Sequence, residues 1–202
     1  MKLPFLASFI IFLLVVRHAI KRQQKSEDFS DKSFWARERE ANSVRRKPLD
    51  TLNYILIPFE RFPMNCLTEH PQIMEYQQLL QDLSQRKIVN LTGYTNTDLK
   101  LEYGTANITA LSEYDQNYTI LVRTLQQWAD ILLDAGYVSE ATVLMEFAIS
   151  TGTDISRTYY KLAEIYSARG DNFQIQQLLE QSRNLRSANA KIIARTLQES
   201  YL

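Results

Sequence analysis

The sequence predicts an all-α protein in which an N-terminal transmembrane helix precedes a short stack of antiparallel helical hairpins. Three observations predict this fold class. The chain has only 5 glycines and 5 prolines in 202 residues, too few for the turns of a many-stranded sandwich or barrel. An uncharged apolar run lies close to the N-terminus. In the last part of the chain, apolar residues recur with a period of 34 residues, which is typical of helical repeats.

The composition excludes several kinds of chemistry. The 23 Lys and Arg residues balance the 23 Asp and Glu residues, and 45% of the chain is hydrophobic, which suits one modest domain with a short appendage. One cysteine excludes an intrachain disulfide, and two histidines leave few ligands for zinc. Glycine is too scarce for a phosphate-binding loop. We therefore expect no cofactor, no metal and no enzymatic activity.

Residues 1–22 are predicted to form an uncleaved membrane anchor. The run from Leu3 to Val16 is uncharged, and a helix extended to Ile20 is about 27 Å long, close to the ~30 Å hydrocarbon core of a bilayer. Most of the positive charge follows the run instead of preceding it, unlike in a cleaved signal peptide. The alternatives are a cleaved signal and an interfacial or buried helix. The positive flank predicts a single-pass protein of the cell membrane with a cytoplasmic soluble domain.

Residues 23–50 are predicted to form a basic juxtamembrane linker or helix. Residues 17–50 contain ten Lys or Arg and six Asp or Glu, whereas residues 51–202 contain twelve and seventeen. The basic stretch is either a solvated linker or a segment that lies along an anionic leaflet. Phe34 and Trp35 begin a charged helix-forming run. These two rings either lie at the membrane interface or pack on the domain, and we expect packing. The acidic balance of residues 51–202 argues against nucleic-acid binding.

Residues 51–202 are predicted to form one helical domain. The segment from Leu52 to Phe62 ends at Pro63 and is expected to be extended and to wrap across helices. Irregular helices are predicted within residues 72–117: one over 72–87, a short one from Asp98, and one around Ala110. The two repeats cover residues 121–154 and 155–188, and a capping helix covers residues 189–200.

The 34-residue period is carried by large, small and glycine positions. Leu125, Trp128, Ala129, Leu132, Gly136, Ala141, Met145 and Ala148 align with Tyr159, Leu162, Ala163, Tyr166, Gly170, Ile175, Leu179 and Ser182. The small residues allow paired helices to approach closely, and the glycines supply the turn between them. Asp171 and Gln174 have the spacing of a capping box. Over residues 121–186 the pattern resembles the tetratricopeptide repeat, so the predicted hairpins form a short tetratricopeptide-like α-solenoid.

This resemblance implies a protein-binding face on the first helix of each hairpin. The positions that it nominates are Arg123, Gln126, Asp130, Asp134, Arg157, Tyr160 and Glu164. Acidic residues stand where carboxylate-binding members of the family have asparagine and lysine, so the resemblance implies a basic or mixed-charge peptide partner. A solvated polar face without a ligand is the alternative.

Two further groups of residues are candidate sites. The polar segment from Asn90 to Asn107 either bonds local backbone groups or forms a ligand site from Asn96, Asp98 and Asn107. Cys66 and His70 are too few for a zinc site, and Cys66 is expected to be an ordinary buried thiol. The blocks FWARERE, YILIP and NLTGYTNTDLKLEYG resemble a group of small, uncharacterised, single-pass bacterial membrane proteins, and no activity comes with that resemblance.

These observations predict a membrane-anchored scaffold that recruits a protein partner through its helical domain. A structural subunit that is packed permanently in a larger membrane complex is the alternative. An enzyme that uses the polar segment between Asn90 and Asn107 is a third hypothesis.

Overall fold

The computed structural model describes residues 16–17 and 32–202, and over these residues the protein is all-α without any β-strand. The predicted membrane anchor lies almost entirely outside this part. None of the helices in the described ranges combines the length and the apolar character needed to cross a bilayer.

The helices are named here in chain order. Helix α1 is helical over residues 32–43, and the others are α2 (Pro71–Ser84), α3 (Asn96–Tyr103), α4 (Ile108–Asp134), α5 (Val138–Ser150), α6 (Ser156–Ala168), α7 (Asn172–Arg183) and α8 (Ala190–Tyr201). Two short 3₁₀ helices cover Phe59–Arg61 and Thr105–Asn107.

The chain divides into two compact units. The described part of the first unit consists of α1 with the residues up to Lys47, together with Asn96–Asn107, and the second unit is Pro48–Thr95 with Ile108–Leu202. This division differs from the predicted one, in which residues 23–50 were a separate juxtamembrane linker or helix and α3 belonged to the helical domain. The reason is a set of polar contacts between segments about sixty residues apart, which the local sequence pattern does not contain.

Polar side chains hold the first unit together. Glu38 on α1 forms an ion pair with Lys100 on α3 and accepts a hydrogen bond from Thr97 Oγ1 at 2.8 Å. The hydrogen bonds from Lys100 and Thr97 lower the pKa of the Glu38 carboxyl group. At the preceding position of α1, Arg37 pairs with Asp98 at 2.6 Å. The opposite charges on α1 and α3 therefore face each other in two pairs.

Asn107 closes the other end of the first unit. Its side chain is buried and donates to the carbonyl oxygens of Lys47 and Tyr103 at 2.8 and 2.7 Å, and it accepts from Arg46 Nε at 3.1 Å. The polar side chain of Asn107 thus satisfies backbone groups, which is the structural role that the sequence suggested for this segment.

Helix α4 is the centre of the second unit. It runs for 27 residues without glycine or proline, so no residue interrupts it between the helix expected around Ala110 and the first helix of the repeat. These two predicted helices are one continuous helix. Its buried side includes Leu121, Leu125, Trp128 and Leu132, and α2 and α5 pack against it.

The 34-residue period sets the positions of the helices that follow. Helices α5 and α7 begin at Val138 and Asn172, and helices α6 and α8 begin at Ser156 and Ala190; both pairs of starts are 34 residues apart. Gly136 and Gly170 precede α5 and α7 with φ angles of +84° and +70°, the left-handed conformation that glycine adopts without strain. The three-residue turns at these glycines make α4 and α5, and α6 and α7, antiparallel neighbours.

The segment from Leu52 to Phe62, called here the extended segment, has no regular secondary structure apart from the 3₁₀ helix at Phe59–Arg61. Tyr54 forms an isolated antiparallel bridge with Val89, and the Ile55 amide donates to the Ile88 carbonyl at 2.9 Å. Further along, the Phe62 ring meets Trp128 on α4 and Phe147 on α5 edge-to-face, with ring centroids 6.1 and 5.3 Å apart. The extended segment therefore covers the core between α4 and α5 instead of joining a sheet.

The cap of α7 supports a first prediction. Asp171 Oδ1 accepts a hydrogen bond from the Gln174 backbone amide at 3.2 Å, which satisfies one of the free amides of the first turn. We expect Asp171→Ala to lower the free energy of unfolding by about 1 kcal/mol, measured by urea unfolding of the full chain. Glu180→Ala removes the same charge from an exposed position of α7 and should change little. Equal losses in both variants would contradict the capping role.

Buried tyrosines predict a loss of stability at alkaline pH. Tyr118 is 3% exposed and donates to the Thr151 carbonyl at 3.2 Å, and burial raises the pKa of its hydroxyl from 10.0 to about 12. As pH rises, the unfolded state loses this proton first, so the stability is complete below about pH 10 and is lost between about pH 10 and 12. Burial raises the pKa of Tyr159 in the same direction.

A substitution tests the contribution of Tyr118. From about pH 9 to about pH 11, Tyr118→Phe should lose about 1 kcal/mol less stability than the natural protein. The measurement is urea unfolding at each pH, with phenolate absorbance as a second signal. Tyr137→Phe, at an exposed position, should keep the natural pH dependence, and an identical slope for both variants would contradict the assignment.

Candidate partner-binding face

The nominated residues occupy one side of α4 and α6. We call the set Arg123, Asp130, Asp134, Arg157, Tyr160 and Glu164 the first-helix face. Arg123, Asp134, Arg157 and Glu164 are exposed, and Asp130 and Tyr160 are half-buried. The nominated residues come from two copies of the repeat, and the contacts below join those two copies.

Asp130 links α4 to α6. Its Oδ1 atom accepts a hydrogen bond from Arg157 Nε at 3.0 Å and another from Gln126 Nε2 at 3.0 Å. The oxygen of the same Gln126 amide accepts from Thr158 Oγ1 on α6. The four side chains form a chain of three hydrogen bonds across the two helices, so their geometry is set within the protein itself.

Gln126 is the nominated residue that the structure removes from the face. It is only 7% exposed, because Thr158 of the next repeat lies against it and takes its amide oxygen. We therefore correct its assignment from a partner contact to a residue that orients Asp130. A helical wheel of α4 alone does not reveal this, since the covering residue belongs to α6.

The face continues from α6 onto α8. The Tyr160 hydroxyl donates to Thr196 Oγ1 at 3.3 Å, which joins the two helices at their polar surface. Extension of the 34-residue register from Arg157 leads to Lys191, which is exposed on α8. Sequence reasoning did not nominate Lys191 or Thr196, although the repeat period could have identified Lys191 if α8 had been treated as a third first helix.

The first-helix face carries both signs of charge. Arg157 and Asp130 form one ion pair, and Glu164 forms another with Lys161 at 2.8 Å. Exposed ion pairs of this kind contribute between about 0 and 1 kcal/mol, so a partner with its own charges can replace them at low cost. Neither Arg123 nor Asp134 takes part in an ion pair among the described residues. These charges favour a polar macromolecular surface over an apolar ligand.

A cavity lies away from this face. It has a volume of about 210 Å³, and residues of α5, α6 and α7 line it, including Glu146, Tyr166 and Gln174. This is smaller than the range of roughly 300–1,000 Å³ that is typical of small-molecule sites. The Tyr166 hydroxyl donates to Glu146 Oε1 at 2.7 Å across it, and burial raises the pKa of Tyr166. The cavity shares no residue with the first-helix face.

The polar segment around residues 90–107 carries structural contacts. Asn90 Nδ2 donates to the carbonyls of Thr151 and Gly152 at 2.9 and 3.0 Å. Asp98 is paired with Arg37, and Asn107 bonds to backbone groups. Across the described part of the chain, no group of three or more His, Cys, Asp and Glu side chains is arranged to hold a metal ion.

Cys66 and His70 do not share a helical face. The chain between Pro63 and His70 consists of turns, so the spacing of four residues does not bring the two side chains together as a helix would. Cys66 is half-buried, and burial raises the pKa of its thiol, which lowers its reactivity as a nucleophile.

No protein-family model matches this chain, and no curated protein or solved structure matches it either. The likeness to tetratricopeptide repeats rests on the residue pattern alone.

Proposed function

We propose that this protein is a membrane-anchored scaffold whose helical stack recruits a protein partner through the first-helix face. In this proposal the apolar segment from Leu3 to Val16 is a single-pass anchor in the cell membrane, and the helical units are cytoplasmic. The 34-residue hairpins are a tetratricopeptide-like solenoid, and the chain has no catalytic role.

One observation carries the proposal. Hydrogen bonds between α4 and α6, and between α6 and α8, join side chains from successive repeats into one polar face with exposed charges of both signs. A face of this kind spans several helices, and its rigid framework allows binding without a large ordering cost. Peptides and protein surfaces of mixed charge are complementary to it.

Site-specific photocrosslinking in the native host tests the proposal. A photoreactive benzophenone residue replaces Arg123 or Glu164 on the first-helix face, and Gln176 or Glu180 on α7 in the control variants. All four positions are exposed. We expect a discrete adduct of higher mass from the first-helix positions and no such adduct from the α7 positions. Absence of an adduct, or the same adduct from both helices, would contradict the proposed face.

Charge reversal measures what the face contributes. Asp134→Arg combined with Glu164→Arg should lower the yield of the crosslink from Arg123 by about tenfold, since hot-spot contacts contribute about 1–2 kcal/mol or more each. The control combines Glu180→Arg with Glu199→Arg, two exposed positions outside the face. An unchanged yield after reversal on the face would assign the adduct to another surface.

The proposed orientation is testable by cysteine labelling. Ala188→Cys in a Cys66→Ser background places a single thiol at an exposed position before α8. A membrane-impermeant maleimide should label this thiol only after the cells are lysed. Labelling of intact cells would overturn the cytoplasmic orientation and direct the search to partners outside the cytoplasm.

The alternative function is a permanent subunit of a larger membrane complex. In that function, neighbouring subunits would cover exposed apolar side chains such as Phe173 on α7 and Ile192 on α8. The two functions differ in whether the chain also exists outside a complex. Native gel electrophoresis in mild detergent should show the free chain if the partner is recruited transiently, and one large complex if the chain is a permanent subunit.

A further inference from the structure

Helix α1 exposes two adjacent aromatic rings. Phe34 is 54% exposed and Trp35 is 60% exposed, and their ring centroids are 5.4 Å apart in an edge-to-face arrangement. The expectation that this pair packs on the domain is therefore wrong for the described residues. Exposed tryptophan and phenylalanine side by side are costly in water, because each ring leaves a large apolar area hydrated.

The position of the pair on α1 explains its exposure. The contacts of α1 with α3 involve Arg37 and Glu38, and Ala41 one turn further is fully buried. Phe34 lies one turn before this contact region. Trp35 shares its side of the helix with Arg39 at the i+4 position, and both side chains are exposed. The aromatic ring and the guanidinium group therefore belong to the same exposed side of α1.

The charge around the pair is positive. Residues 32–47 contain six Lys or Arg and two Glu. Arg37 and Glu38 are balanced by Asp98 and Lys100 of α3. Among the described residues, Arg39 and Arg45 form no ion pair, and Arg46 contacts the uncharged amide of Asn107. The segment that carries the aromatic pair thus has a positive excess.

The chain length permits this surface to reach the membrane. Phe34 follows Val16, the end of the apolar segment, by 18 residues, which span at most about 60 Å when fully extended. A tether of this length keeps the helix at a high effective concentration at the bilayer surface.

We propose that the Phe34–Trp35 pair inserts into the headgroup region of an anionic bilayer while Arg39 and Arg45 contact lipid phosphates. Tryptophan is enriched at membrane interfaces because its ring is apolar and its N–H group remains hydrogen-bonded. Basic side chains near an anionic leaflet add about 1 kcal/mol each. This inference rests on the membrane anchor of the proposed function and adds a second, charge-dependent contact with the same membrane.

Tryptophan fluorescence of the full chain in nanodiscs tests the inference. The chain has two tryptophans, and Trp128 is fully buried, so a neutral aqueous quencher such as acrylamide reports on Trp35. We expect the quenching constant to be at least threefold lower in discs of phosphatidylcholine with phosphatidylglycerol than in discs of phosphatidylcholine alone. Brominated phosphatidylglycerol should quench the same emission. Trp35→Phe should abolish both effects and serves to assign the signal.

Charge reversal separates lipid binding from other causes. Arg39→Glu with Arg45→Glu should remove the difference between the two kinds of disc, whereas Arg169→Glu with Arg183→Glu, at exposed positions of the second unit, should retain it. Equal quenching in both discs while the chain remains in the disc overturns this inference alone. A chain that enters neither disc overturns the anchor as well. If Trp35 is protected from acrylamide only when cytosol is added, the two rings bind a protein, and this result overturns the lipid contact.

Discussion

Trp128→Ala is expected to lower the free energy of unfolding by about 3–5 kcal/mol. Trp128 is fully buried on α4 and meets the Phe62 ring edge-to-face, with ring centroids 6.1 Å apart. Its core cluster also includes Leu125, Ala141 and Leu144, so truncation leaves a cavity between α4, α5 and the extended segment. The indole nitrogen has no hydrogen-bond partner among the described residues, so the loss comes from packing.

Urea unfolding followed by circular dichroism measures this effect. Phe173→Ala is the matched control in the same unit, since its ring is 65% exposed, and it should change the free energy of unfolding by less than about 0.5 kcal/mol. A loss below about 1.5 kcal/mol for Trp128→Ala would mean that the core closes over the missing ring, contrary to the close packing expected of protein interiors.

Gly93→Ala is expected to produce the second large effect. Gly93 has a φ angle of +88°, and an added Cβ atom would lie 2.6 Å from the Cβ atom and 2.8 Å from the carbonyl oxygen of Arg186. Left-handed backbone costs a residue other than glycine about 1–2 kcal/mol, and overpacking against backbone adds about 1–3 kcal/mol. Arg186 also lies over the Tyr94 ring at 4.8 Å, so its displacement would disturb a second contact.

A second glycine separates these two costs. Gly136 has a similar φ angle of +84°, but an added Cβ atom there would meet no atom within 4 Å. Gly136→Ala should therefore show only the conformational cost, about 1–2 kcal/mol. The difference between the two variants in urea unfolding measures the close approach at Arg186. Equal losses would show that the backbone near Arg186 moves without cost.

The candidate face was predictable in part. The repeat register placed Asp130 and Arg157 on the first helices, and in the structure these two residues form an ion pair at 3.0 Å. The register also nominated Gln126, which is buried because Thr158 of the next repeat covers it. A periodic pattern places a residue on one side of its own helix. Whether that residue is buried also depends on the neighbouring helix.

The helical class and the 34-residue spacing of α5 and α7, and of α6 and α8, follow from local sequence features, because helix periodicity, glycine turns and the lack of helix-breaking residues act within a few residues. The pairing of α3 with α1 arises only in the folded chain, through contacts such as Arg37 with Asp98, whose positions are 61 residues apart. The exposure of Phe34 and Trp35 is likewise set in the folded chain. Contacts between distant segments depend on which helix surfaces pack together, and local sequence patterns do not predict that packing.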